Sequence, residues 1–286
     1  MKYIVIIPAF NEAENIGHTL DGMVAQTLLP QQVLVINDGS TDATPQLIDQ
    51  YHQQHPWIKR IDSDAEAKHQ PGAKIVRAFY QGFNNIKQHN YDFIVKLDAD
   101  LGLPPDYFER VAQLFQANPK VGIAGGVNVV QRNGEWVYED FADKDHVKGA
   151  FKAYRKACFE AIGGLRESVG WDSVDELLAR YHGWEVQTDQ DLWIKHFRPR
   201  GKTTGVSRVM RKMGRAMYRM RYGWWITFLS ALKAGLRNQP YGITTLAVMQ
   251  GFAEAKKAGD AFIVNEAEGA FIRKYRWERM KGKLGV

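Results

Sequence analysis

Phe93-Ile94-Val95-Lys96-Leu97-Asp98-Ala99-Asp100 runs a strand-like segment, Phe93 to Leu97, straight into two carboxylates one residue apart. Successive side chains of an extended chain alternate between faces, so Asp98 and Asp100 lean the same way if the chain stays extended past the strand. Two acids on one side of a strand end repel each other and lose hydration. A divalent cation relieves both problems, because Mg²⁺ and Mn²⁺ take carboxylate oxygen and keep positions free for phosphate. A solvated turn is the other reading, since Asp is common in turns.

Upstream, the chain alternates strand and helix. Residues 3–7, Tyr-Ile-Val-Ile-Ile, form an apolar run closed by Pro8, the pattern of a central parallel strand buried on both faces. Ile16, Leu20 and Met23-Val24 recur at helical spacing, predicting a helix to about Thr27. A strand at Val33–Ile36 ends in Asn37-Asp38-Gly39-Ser40-Thr41-Asp42, whose last three residues are suited to cap a helix through about Gln53. A short strand is expected at Trp57–Ile61, a polar loop with Pro71-Gly72 over 62–72, and a helix from Ile75 to about Gln88. After the acidic pair, Pro104-Pro105 opens a helix from Tyr107 to Ala117. This alternation predicts an α/β fold, a mostly parallel sheet with helices on both faces. Ligands of such sheets sit outside the carboxyl ends of the strands, where Phe10–Glu12, Asp38–Ser40 and Asp98–Asp100 all fall.

Downstream, Val121–Ala124 and Val127–Gln131 read as shorter strands around Gly125-Gly126. No G-x-G-x-x-G opens a helix after a strand, which argues against a classical dinucleotide site. Val147–Ile162 reads as a helix stopped by Gly163-Gly164, with Cys158 in the core. A second acidic segment, Trp171-Asp172-Ser173-Val174-Asp175-Glu176, leads a helix to about His182-Gly183, with Asp172 suited to cap it. A strand at Leu192–Phe197 runs on to Arg198-Pro199-Arg200-Gly201.

The 286 residues are 45% hydrophobic and 24% charged, ordinary values for a protein with a real core. The net charge of +6 hides an asymmetry. Residues 200–286 hold 18 Lys and Arg against 5 Asp and Glu, and the rest of the chain 20 against 27. We expect a catalytic domain over 1–203 and a basic helical extension over 204–286. In the extension Val206, Val209-Met210, Met213, Met217 and Met220 interleave with arginines ahead of Tyr222-Gly223-Trp224-Trp225. Such a segment suits a membrane surface, or packs its methionine stripe on the catalytic domain. No nucleic-acid partner is expected, as no recognition motif accompanies the charge. The single cysteine excludes an internal disulfide and fits a reducing compartment. No secretion signal or spanning helix is expected, so the expectation is a cytoplasmic protein, peripheral on the cytoplasmic face of the inner membrane.

Taken together, Ile6-Ile7-Pro8-Ala9-Phe10-Asn11-Glu12, Val35-Ile36-Asn37-Asp38-Gly39-Ser40-Thr41-Asp42, Leu97-Asp98-Ala99-Asp100, Ala153-Tyr154-Arg155 and Ile162-Gly163-Gly164 resemble the family 2 glycosyltransferases of the GT-A fold. The resemblance covers roughly residues 2–200. It implies transfer of a sugar, with inversion, from a nucleotide-sugar donor (UDP by default) to a glycan or lipid-linked glycan acceptor. Pro8, Phe10 and Glu12 would line the base and ribose, Asp38 would bond the base, and Asp98 the ribose or donor sugar. Asp100, with Asp98, would hold Mg²⁺ or Mn²⁺ at the diphosphate. His196 stands where some members place a further metal ligand, and is otherwise a structural histidine. Lys74 and Arg77 could reach phosphate or stay solvated. The spacing from Trp171-Asp172 to Gly183-Trp184 puts Asp172 at the general-base position, with Asp175 as fallback, although Trp171 stands where Glu is usual. The alternatives are a polyprenyl-phosphate glycosyltransferase, whose anionic acceptor needs no base, and a non-catalytic, membrane-associated sugar-nucleotide binder.

Overall fold

The computed structural model describes residues 1–63, 73–86, 89–138, 146–198, 206–237 and 242–284. The loop expected around Pro71-Gly72, the helix end expected at Gln88 and the Pro199-Arg200-Gly201 turn lie outside these residues. In chain order the elements are β1 (Tyr3–Ala9), α1 (Ile16–Val24), β2 (Gln32–Asn37), α2 (Thr44–Gln54), β3 (Ile58–Asp62), α3 (Ala73–Asn84), β4 (Phe93–Leu97) and β5 (Leu101–Gly102). They continue with α4 (Tyr107–Ala117), β6 (Val121–Arg132), β7 (Glu135–Tyr138), β8 (Phe151–Arg155), α5 (Lys156–Ala161), α6 (Trp171–Tyr181) and β9 (Glu185–His196). Four helices follow: α7 (Val206–Arg219), α8 (Trp224–Arg237), α9 (Ile243–Lys257) and α10 (Glu266–Leu284).

All the strands belong to one sheet of order β3-β2-β1-β4-β8-β6-β9-β5, with β7 on β6. The first four are mutually parallel, and β8 joins β4 antiparallel. Alternation sorts the two layers. Tyr3 and Phe93 stack on one face and meet Phe108 and Phe115 of α4, with centroids 4.7–5.3 Å apart. Ile6 and Ile36 point to the other face, where Gly82 lets α3 settle close, since a Cβ there would stand 2.8 Å from Ile6. Burying an aromatic side chain stabilises by about 1.5–3 kcal/mol, so this double cover explains why β1 and β4 read as continuous apolar runs.

Three expectations change. Residues 147–162 are not one helix: Phe151–Arg155 is a strand between β4 and β6, and only Lys156–Ala161 is helical. The two strands expected around Gly125-Gly126 are one, β6, with a register shift against β9 between Gly125 and Val127. Gly126 is required there because a Cβ would stand 2.1 Å from the Leu192 carbonyl oxygen. Finally, α2 begins at Thr44 with Ala43 in the cap position and no side-chain cap bond; Asp42 takes the Thr44 N–H at 3.0 Å from one residue further out.

The chain divides into two compact units: Met1–Glu167 with His182–Pro199, and Ser168–Tyr181 with Arg200–Val286. The first holds the sheet and α1–α5. The second is helical and includes α6, whose preceding Ser168 hydroxyl accepts from Arg219 of α7 at 2.9 Å. Its helices α7 and α9 cross backbone to backbone. A Cβ on Gly214 would stand 1.8 Å from the Val248 carbonyl, and one on Gly251 1.9 Å from that of Arg211. Among the described residues no helix is long and apolar enough to cross a membrane.

Candidate active site

The loops after β1 and β2 are laced together by side chains that bond backbone groups. Asn11, at the positive φ of 52° that Asn tolerates, donates its N–H to Ser40 Oγ at 3.0 Å and accepts from the Thr41 N–H at 2.8 Å. The Glu12 N–H reaches Thr44 Oγ1 at 2.8 Å, and that of Ala13 reaches Asp42 Oδ2 at 3.0 Å. Burial pushes the Asp42 carboxyl up, but bonds from the Thr44 hydroxyl and N–H and the Ala13 N–H outweigh it and hold Asp42 below the usual carboxylate range. The lacing ties the loop that carries Phe10 and Glu12 to the loop that follows Asp38. These scaffold roles of Asn11, Ser40, Thr41 and Thr44 were not anticipated from the sequence.

Asp38 lies half-buried at the end of β2. Its carboxylate accepts from Ser63 Oγ at 2.8 Å and pairs with Lys74 Nζ at 2.9 Å. The same ammonium sits 4.0 Å from the centroid of the Phe10 ring, which is 47% exposed. Pro8, in β1 opposite Ile36, is half-buried. The cluster of Pro8, Phe10, Asp38 and Lys74 thus offers an aromatic face, a carboxylate and a cation in one place. Arg77 instead pairs with Glu167 at 3.0 Å.

The two acids of the opening stretch have different partners. Asp98 pairs with Lys96, two residues earlier on the same face of β4 and almost wholly buried. Asp100, also buried, accepts from Nε2 of His196 at 3.1 Å. Backbone pairing brings them there, since Leu101 of β5 lies opposite His196 of β9. Thr19 of α1 holds the turn from the other side: its hydroxyl accepts from the Leu101 N–H at 2.9 Å and donates to the Leu101 carbonyl at 3.0 Å. Among the described residues no three of His, Cys, Asp and Glu gather closely enough to hold a metal ion. Asp100 and His196 stand as a pair. That donor set fits a Mg²⁺ or Mn²⁺ ion that takes its other ligands from phosphate and water.

Glu12 belongs to the same acidic group. Burial pushes its carboxyl up to about 7; Arg198 opposes the shift, while Asp100 and Asp98 add to it. Arg198 donates to Glu12 Oε2 at 2.7 Å. The sequence reading missed Arg198 and Lys96. For Lys96 a signal existed, because a lysine two residues before Asp98 in an extended run must share its face.

Asp172 lies in the second unit, in the first turn of α6, so it is a residue of the helix and not its cap. It is half-buried, and Asp175 is buried one turn on. Arg155, part of a quoted motif, is structural: it donates to the carbonyls of Val121, Phe115 and Asn118 at 2.6–3.2 Å and so closes the turn between α4 and β6.

The chain is 27% identical over 121 residues to the poly-beta-1,6-N-acetyl-D-glucosamine synthase of Staphylococcus epidermidis, and 30% to that of Staphylococcus aureus strain COL. Each match covers 42% of this chain and 27% of the relative, so the chain aligns with about a quarter of these proteins' length. Among solved structures, S. aureus TarS 1-349 in complex with UDP-GlcNAc superposes with a TM-score of 0.61 at 15% identity, over 100% of this chain and 92% of that one. The mannosyltransferase PcManGT from Pyrobaculum calidifontis, in complex with GDP-Man and Mn²⁺, gives 0.56 at 18% identity, over 98% and 80%. At such identities these likenesses establish the shared GT-A fold. The family model described as glycosyl transferase family 2 matches residues 4–164. That span is more than half of the chain and runs from β1 through the acidic pair to Gly163-Gly164, and on it the chain belongs to glycosyl transferase family 2.

Proposed function

We propose that the protein is an inverting glycosyltransferase that moves a sugar from a nucleotide-sugar, with UDP as the nucleotide, to a hydroxyl of a glycan or lipid-linked glycan. The observation that carries this reading is the cluster of Asp38, Lys74 and Phe10 after β1 and β2, together with the Asp100–His196 pair after β4. Phe10 and Pro8 give the base a face to lie on, Asp38 accepts from its N–H groups, and Asp98 accepts from ribose or sugar hydroxyls. Lys74, paired with Asp38, would turn to a phosphate of the donor. Asp100 and His196 would hold Mg²⁺ or Mn²⁺, with Asp98 reaching it once a donor draws Asp98 from Lys96. When bound, the cation neutralises charge on the departing diphosphate. The acceptor oxygen forms its bond to the anomeric carbon as the bond to the diphosphate oxygen breaks. Asp172 takes the hydroxyl proton, and the nucleoside diphosphate leaves with the electron pair. The name of the curated relatives, a poly-beta-1,6-N-acetyl-D-glucosamine synthase, favours a glycan as acceptor, and UDP-GlcNAc in the TarS complex favours UDP. A lipid-linked acceptor would place the work at the membrane face.

The test is a thermal-shift titration of the full chain with UDP, GDP, dTDP and NAD, with and without Mn²⁺. A ligand at 100 times its Kd adds about 2.7 kcal/mol of stability. We expect Mn²⁺-dependent stabilisation by UDP that Asp100→Ala abolishes. Stabilisation by none of the nucleotides would overturn the donor site, and stabilisation by NAD alone would overturn the reaction class.

A further inference from the structure

Among the described residues of the second unit, α8 leaves an apolar face uncovered. Trp225, Leu229, Leu232 and Leu236 of α8 are 70%, 36%, 39% and 67% exposed. At 100° per residue the four fall within about 60° of one another, a single stripe about 16 Å long. The other side of the helix is buried at Ile226, Thr227 and Ala231, so the stripe is the outer face of a packed helix. Thr245 donates to the Ala231 carbonyl at 3.0 Å, which lays the start of α9 against α8. There Ile243 and Leu246 are also exposed apolar side chains. Trp224, half exposed, stands at the head of the stripe, and exposed Lys233 flanks it.

The chain that carries this face has one sign of charge. Not one Asp or Glu occurs from Val206 to Ala253, while the same 48 residues hold 8 Lys and Arg. Two copies meeting through this face would bring two strongly cationic units together, which repulsion opposes. An anionic bilayer meets both demands. Its headgroups attract the basic unit, and its interfacial zone accepts a helix-long apolar stripe headed by tryptophan.

We propose that the α8 face, Trp225-Leu229-Leu232-Leu236 with Ile243 and Leu246, is a docking surface for an anionic lipid membrane, with α8 lying in the membrane plane. The methionine-bearing helix α7, which the sequence marked for such a role, is held instead by its glycine crossing with α9. The inference extends the membrane side of the proposed function, but it stands on the second unit alone.

The experiment is co-sedimentation of the full chain with vesicles of phosphatidylcholine alone and of phosphatidylcholine with phosphatidylglycerol. It is run on wild type and on the triple variant Trp225→Ser, Leu229→Ser, Leu236→Ser. We expect wild type to pellet with the phosphatidylglycerol vesicles about tenfold more than with phosphatidylcholine alone, as charge attraction predicts, and raised salt to weaken it. The triple variant should lose about tenfold of that binding. Sedimentation velocity without lipid accompanies it. No pelleting with the anionic vesicles overturns the proposal, as does a triple variant that pellets like wild type. A wild-type dimer that the triple variant turns to monomer, with no lipid binding, overturns it in favour of a second copy of the chain. A UDP-dependent thermal shift retained by the variant shows that it is folded. Loss of that shift from wild type, with vesicle binding intact, would refute the donor site and leave the docking face standing.

Discussion

At the carboxyl edge of the sheet, each acid has a basic partner: Lys96 for Asp98, His196 for Asp100, Arg198 for Glu12 and Lys74 for Asp38. Along α8 the costly groups are apolar, and they stand in solvent. The first region has its complement built in, held by strand register and by hydroxyl bonds to backbone. The second has a complement that must come from outside. A protein that binds a small charged donor needs the former, because charges left unpaired near a core are expensive. A surface that docks needs the latter.

The largest effect expected of this contrast is on turnover. Asp100→Ala should lower kcat/KM by about 10²–10³-fold and remove the Mn²⁺ dependence of nucleotide binding, measured by steady-state transfer and by titration. A variant within about tenfold of wild type would break the link between the paired edge and chemistry. Next comes Asp98→Asn, which leaves the buried Lys96 ammonium without its carboxylate and should cost about 2–4 kcal/mol in urea unfolding. Lys96→Met combined with Asp98→Asn should recover most of that loss, and a double variant no better than Asp98→Asn would show that the two groups are not coupled.

Glu12 gives a smaller, pH-dependent effect. The folded chain holds its proton more tightly than the unfolded chain, so this contribution to stability is whole below the ordinary Glu range, near 4.5, and is gone above about 7. Wild type should therefore lose stability relative to Glu12→Gln across that window, by on the order of 1–3 kcal/mol, read from Tm against pH. Parallel pH profiles would mean that Arg198 already holds Glu12 charged. The smallest effect belongs to α8: Trp225→Ser should leave unfolding free energy within about 0.5 kcal/mol of wild type, because an exposed side chain has little to lose. A large loss would show that the face is core and would sharpen the contrast against us.

The parallel half of the sheet was legible because strands covered on both faces must be apolar throughout, as in Ile4–Ile7 and Phe93–Val95. Strand β8 was not, because Lys152, its second residue, sits fully buried and hides the apolar pattern. The acids at the strand ends were readable, as was the position of His196. Their partners were not all so. His196 meets Asp100 across 96 residues and Arg198 meets Glu12 across 186, and no local periodicity carries such pairings. The head of the α8 stripe was visible in the aromatic run Tyr222–Trp225, but its continuation to Leu236 was not, and the partner of α7 was hidden in two glycines whose importance lies in the space they leave.

The hydroxyl of Thr19 has a consequence beyond holding the acidic turn. Strand β5 is the last of the sheet, and an open last strand offers its N–H and C=O groups to any passing extended chain. At Leu101 both groups are consumed by one side chain of α1. Thr19 and Leu101 are wholly buried, so Thr19→Val keeps the edge covered but leaves that pair unsatisfied, and its expected signature is a loss of about 1–3 kcal/mol in urea unfolding.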